Sequence, residues 1–148
     1  MSDSTRASVV IEAPSATVLD VIADFEEYPA WAEQVKRATV LEEDEGGWPI
    51  QVEFVLDAGV IKDTYVLNYD WQVDEAGEGV VRWTLERSSL LKSMDGSYTI
   101  RSTPEGTDVV YELSVAVTIP VVSMLRRKAE RMIIDTALSG LKQRVESN

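Results

Sequence analysis

Apolar and polar residues alternate with a period of two through the middle of the chain and switch to helical spacing near both ends. The segment Ala7–Glu12, with Val9, Val10 and Ile11, reads as a first strand. Ala13-Pro14-Ser15 ends that strand and opens a short helix, with Ser15 placed near the N-cap. Val18, Leu19, Val21 and Ile22 form its buried face, and it finishes near Ala23. Pro29 disfavours α geometry at Tyr28, so the chain should turn after Asp24 and form a second short helix around Pro29 to Gln34. Phe25, Tyr28 and Trp31 then pack a corner that closes one end of the core.

Period-two segments follow at Val35–Glu43, Pro49–Asp57, Ile61–Val73, Val80–Ser88, Met94–Ser102 and Thr107–Ile119. Turn residues separate them: Glu45-Gly46-Gly47, Ala58-Gly59, Glu75-Ala76-Gly77-Glu78-Gly79 and Pro104-Glu105-Gly106, with Asp95-Gly96 as a candidate bulge. Pro120 then admits one long helix, Val121 to Glu146, roughly 39 Å at 1.5 Å per residue. Short links between consecutive strands imply an antiparallel meander, with no βαβ alternation or internal repeat. The predicted fold is α+β, in the order β-α-α-β6-α, as a single domain spanning residues 1–148. A curved seven-stranded antiparallel sheet wraps around the long C-terminal helix, and an internal cavity between them is possible.

Alternation also assigns faces. Ile61, Asp63, Tyr65, Leu67, Tyr69 and Trp71 share the inner face with Val81, Trp83, Leu85 and Arg87. Met94, Gly96, Tyr98 and Ile100 join them, as do Val109, Tyr111, Leu113, Val115, Val117 and Ile119. Tyrosine and tryptophan dominate that face, and each carries a polar tip that needs a partner when buried. The chain holds only two Phe. Apolar walls with scattered hydroxyl and indole donors fit a small-molecule pocket better than a dry core. Asp63 and Arg87 fall at one end of adjacent strands and could form a bidentate pair that orients a polar group of the ligand.

The long helix carries two apolar stripes. Val121, Leu125, Ala129 and Met132 lie nearly opposite Ile134, Leu138, Leu141 and Val145. The helix therefore either bends near Ile133 or turns Arg127 and Glu130 toward the cavity. Arg126, Arg127, Lys128 and Arg131 crowd the same half, where they oppose the helix dipole. The acidic body of the protein, an anionic ligand group or a weak peripheral contact with a membrane surface would each favour them.

Composition narrows the chemistry. The net charge of −12 argues against nucleic acid as a partner. Histidine and cysteine are absent, which removes serine triads, imidazole bases, thiolate nucleophiles, disulfides and the usual transition-metal ligands. No metal and no cofactor are expected. No apolar run reaches the ~20 residues that span a bilayer, and Met1 to Arg6 has no signal-like apolar region, so a cytoplasmic protein is expected. Oligomeric state is left between monomer and homodimer.

Ile11-Glu12-Ala13-Pro14, the Asp24-Phe25-Glu26-Glu27-Tyr28-Pro29-Ala30-Trp31 corner, Trp83, Asp95-Gly96-Ser97-Tyr98 and the closing Leu141-Lys142-Gln143-Arg144-Val145-Glu146 together resemble the START-like helix-grip superfamily. Within it, the resemblance is to the polyketide cyclase/dehydrase and lipid transport branch, with the coenzyme-Q-binding type nearest in character. The resemblance implies a seven-stranded sheet gripping the C-terminal helix around a hydrophobic cavity. Members bind lipids, quinones, hormones or polyketides, and some catalyse cyclisation and dehydration. No catalytic motif maps onto this chain, so no catalytic residue is assigned. The expected function is binding or carriage of a hydrophobic small molecule. Tyr65, Tyr69, Trp83, Tyr98 and Tyr111 would line the cavity, and Asp63, Arg87 and Arg127 would meet polar groups. The alternatives are a polyketide aromatase/cyclase working by positioning and acid/base catalysis, and an interaction module with a vestigial cavity.

Overall fold

The computed structural model describes residues 4–57, 59 and 62–147. β1 (Thr5–Ile11) leads into α1 (Ser15–Ala23) and a 3-10 segment, Phe25–Ala30. The meander follows as β2 (Val35–Glu43), β3 (Pro49–Asp57), β4 (Lys62–Val73), β5 (Gly79–Ser88), β6 (Leu91–Thr103) and β7 (Gly106–Val117). The long helix, α2, runs without interruption from Ser123 to Glu146. The seven strands form one antiparallel sheet in the order β1-β7-β6-β5-β4-β3-β2. β1 therefore lies along the far edge of the last strand, while each other strand pairs with its neighbour in sequence.

The C-terminal half of α2 grips the sheet as its apolar stripe requires. Ile134, Leu138, Leu141 and Val145 are buried, and α2 packs on β1, β7 and α1. Gly140 sits on this helix because a Cβ there would lie 1.9 Å from the Trp31 carbonyl oxygen. The absence of a side chain lets α2 close on the Tyr28–Trp31 corner. Ser15 is buried in the first turn of α1 and exchanges hydrogen bonds with Ser102 (2.8 Å) and Thr107 (3.2 Å), tying α1 to β6 and β7. Pro14, not Ser15, is the N-cap.

Four expectations need correction. The second short helix is a 3-10 segment over Phe25–Ala30 that contains Pro29, instead of a helix from Pro29 to Gln34. Asp95-Gly96 is no bulge, since Asp95 pairs with Ser114 and Gly96 with Leu113 in unbroken register. Gly96 is required because the Trp83 indole occupies the place of its Cβ, at 2.3 Å. The last strand stops at Val117 and leaves Ile119 exposed. Thr118 is held by the Leu90 carbonyl, and Val122 is an extended N-cap (φ −63°, ψ 145°), so the helix starts at Ser123 and not at Val121. The predicted strand residue Ile61 and the turn residue Ala58 lie outside the described residues.

The two stripes of α2 are reconciled without a break in the helix. The sheet-facing stripe continues from Ile134 to Glu130, which is fully buried. Its carboxylate accepts 2.7 Å hydrogen bonds from the Val115 backbone N–H and the Thr5 hydroxyl. A buried acid is tolerated there because it satisfies a strand N–H. Leu125 and Met132, on the other stripe, stay exposed.

Candidate functional site

The concave face of the sheet and the inner side of α2 enclose a cavity of about 60 Å³. Tyr65, Leu67 and Tyr69 come from β4, Trp83 from β5, Met94 and Tyr98 from β6, and Tyr111 from β7. Phe54 and Leu56 of β3, Val35 of β2, the Tyr28–Trp31 corner with Ala32 and Gln34, and Ile133 and Ala137 of α2 complete the lining. On this scale a single water needs about 10–15 Å³, so the space holds a few waters, far short of the ~300–1,000 Å³ of ligand pockets. Ring packing fills most of the interior. A larger occupant has to part α2 from the sheet or displace a ring.

The rings form a continuous wall. Trp83 meets Tyr69, Tyr98 and Tyr111 at centroid distances of 5.6, 5.4 and 5.5 Å. Phe54 meets Tyr65 at 5.6 Å, and Tyr28 meets Trp31 at 4.7 Å. Tyr28 donates its hydroxyl to the Ile22 carbonyl. No bond from a described residue engages the hydroxyls of Tyr65, Tyr69, Tyr98 or Tyr111. The buried indole N–H of Trp31 also has no acceptor among the described residues. Leaving such a donor unmade costs about 1–3 kcal/mol.

Burial pushes the phenols of Tyr28, Tyr65, Tyr69, Tyr98 and Tyr111 above their ordinary value, and neighbouring tyrosines add to the shift for all but Tyr111. They remain neutral donors across the physiological range. Among the described residues that line it none is charged, and Gln34 is the one amide. The cavity is therefore apolar, neutral and studded with unused hydrogen-bonding groups.

Five of the eight residues singled out in the sequence, Tyr65, Tyr69, Trp83, Tyr98 and Tyr111, meet at this cavity. Asp63, Arg87 and Arg127 are not among its lining residues. Between β4 and β5 the register jumps from Val66↔Arg87 to Leu67↔Leu85, so Glu86 is an extra residue. That bulge turns Arg87 to the outer face with Val66 and brings Ser88 opposite Tyr65. The Asp63 carboxylate accepts hydrogen bonds from the Ser88 and Ser89 hydroxyls instead of pairing with Arg87. Arg127 is exposed on α2, and Glu130 faces β1 and β7. Trp31, Phe54 and Ile133 were missed as lining residues, although the Tyr-Pro-x-Trp corner had marked Trp31 as a packing residue.

Residues 2–146 match the family described as polyketide cyclase/dehydrase and lipid transport. The chain belongs to that family. No curated protein sequence matches it. A START superfamily protein from Mycobacterium smegmatis has a similar structure, with a TM-score of 0.86 at 19% identity, covering 97% of each chain. A protein from Thermus thermophilus follows with a TM-score of 0.79 at 22% identity over 98% of each chain. The Zhui aromatase/cyclase from Streptomyces sp. R1128 is similar with a TM-score of 0.78 at 16% identity, over 99% of this chain and 94% of that one. At these identities the likeness is one of fold: the seven-stranded sheet and long C-terminal helix of this family member match the helix-grip fold of those structures.

Proposed function

We propose that this protein binds and carries a neutral, hydrophobic small molecule, of lipid, quinone or polyketide-like character, between the sheet and α2. The observation that supports this reading is the set of unused polar groups inside an uncharged aromatic wall. Four tyrosine hydroxyls that no described residue engages point to an occupant that carries a few oxygen atoms on a largely apolar frame. A charged ligand would find no counter-ion among the lining residues.

The same chemistry favours carriage over turnover. Acid/base catalysis needs a group that exchanges protons near neutral pH. Here burial holds the phenols neutral, and the lining offers no carboxylate, ammonium or imidazole to act as a base. The aromatase/cyclase reading draws support from the fold shared with the Streptomyces enzyme. It would have to rely on positioning alone. Native mass spectrometry of freshly purified protein, followed by organic extraction, tests the carrier reading; turnover of a tethered poly-β-keto chain would replace it with the cyclase.

A further inference from the structure

The β7–α2 link and the first turns of α2 are unlike the rest of the surface. Residues 113–129 contain no Asp or Glu, in a chain with 26 acidic residues and a net charge of −12. Ile119 and Val122 in the link are 56% and 65% exposed, and Met124 at the helix start is 79% exposed. On α2 the residues Met124, Leu125, Lys128, Arg131 and Met132 follow one another at i, i+1, i+4, i+7 and i+8, which places them along one side of the helix. That side is opposite the stripe of Glu130, Ile134 and Leu141 that packs on the sheet. All five are exposed, and Asp135, paired with Arg131 at 3.7 Å, marks where the basic tract ends. The helix N-terminus has no capping side chain and no acid in its first turn, so its partial positive charge adds to that of the side chains.

We propose that this face docks on an anionic lipid surface. Ile119, Val122, Met124 and Leu125 enter the boundary between headgroups and acyl chains, while Lys128 and Arg131 meet the phosphates. Charge complementarity selects the occupant: within an acidic molecule, this tract, among the described residues, combines apolar exposure with cations, and an anionic bilayer offers both complements. The apolar residues project from a strand–helix link and the open side of a helix. A fluid bilayer accepts that shape without a matching groove. The inference stands independently of what the cavity holds.

The test is co-sedimentation of the full-length protein with phosphatidylcholine vesicles, with and without about a third phosphatidylserine, at low and at physiological ionic strength. Binding should require phosphatidylserine and weaken with salt. Met124→Asp/Leu125→Asp and Lys128→Glu/Arg131→Glu should each lower partitioning by at least about tenfold, given roughly fivefold per basic side chain near such a surface. The substituted residues are exposed, so circular dichroism should show an unchanged fold; if the aspartate pair misfolds, the charge-reversal pair decides. No binding, binding indifferent to phosphatidylserine, or wild-type binding by a folded variant overturns the proposal. A lipid-independent dimer that Met124→Asp/Leu125→Asp abolishes would assign the face to a second copy of the chain, and also overturns it.

Discussion

Replacing Tyr98 by Phe removes a hydroxyl that no described residue engages, so the fold should hardly register it. The expected change in melting temperature is within about 2 °C, because no protein hydrogen bond is lost. Ligand affinity should fall about three- to tenfold, the worth of one hydrogen bond. A large loss of stability would mean that the hydroxyl serves the core and not an occupant. All five tyrosines of the chain share the upward shift from burial, which ties stability to alkaline pH. Below pH ~10 both folded and unfolded phenols are protonated and pH has no leverage through them. Above it the unfolded chain ionises first, binds fewer protons than the folded one, and stability falls as pH rises. Phenolate absorbance should therefore appear together with loss of near-ultraviolet dichroism, and titration near pH 10 in an intact fold would contradict the burial. At this scale the aromatic wall was legible because period-two alternation fixes a face for each residue. The Asp63–Arg87 pair was misread because one extra residue on β5, Glu86, exchanges the faces of Arg87 and Ser88 while Asp63 keeps its own, and nothing in the local sequence announces that bulge.

Among the elements, α2 carries the sharpest contrast between propensity and packing. Gly140→Ala should stabilise an isolated helix by about 1 kcal/mol. In the folded protein the new Cβ would strike the Trp31 carbonyl, and backbone cannot yield as a flexible side chain can. A net loss of about 2 kcal/mol or more is expected in denaturant unfolding; a gain would show that helix and corner are not in contact. The strands of the meander were readable to within a few residues, since hydrophobic alternation and glycine turns agree there. The 3-10 segment was not, because Phe25, Tyr28 and Pro29 obey tertiary contacts at the corner more than local preference. Glu130 shows the same limit: read along the helix it interrupts an apolar stripe, and only the sheet supplies the Val115 N–H that explains it.

For the whole molecule, the order of elements and the resemblance both led to the helix-grip fold, which the seven-stranded sheet and long helix display, while the match over residues 2–146 places the chain in its family. What strand order alone could not convey is how much of the interior the rings occupy. The grip closes to about 60 Å³, so carriage requires the sheet and α2 to open around a guest. Among the described residues no helix is long and apolar enough to cross a membrane. The cavity is proposed to take a neutral hydrophobic molecule. Native mass spectrometry of freshly purified protein, with organic extraction of the same sample, measures this directly. The expected result is a population heavier than the chain by one small molecule, recovered as a neutral, oxygen-bearing hydrophobic compound and lost on denaturation. The chain mass alone, from freshly purified protein that also takes up no quinone, lipid or aromatic polyketide when these are added, would contradict it.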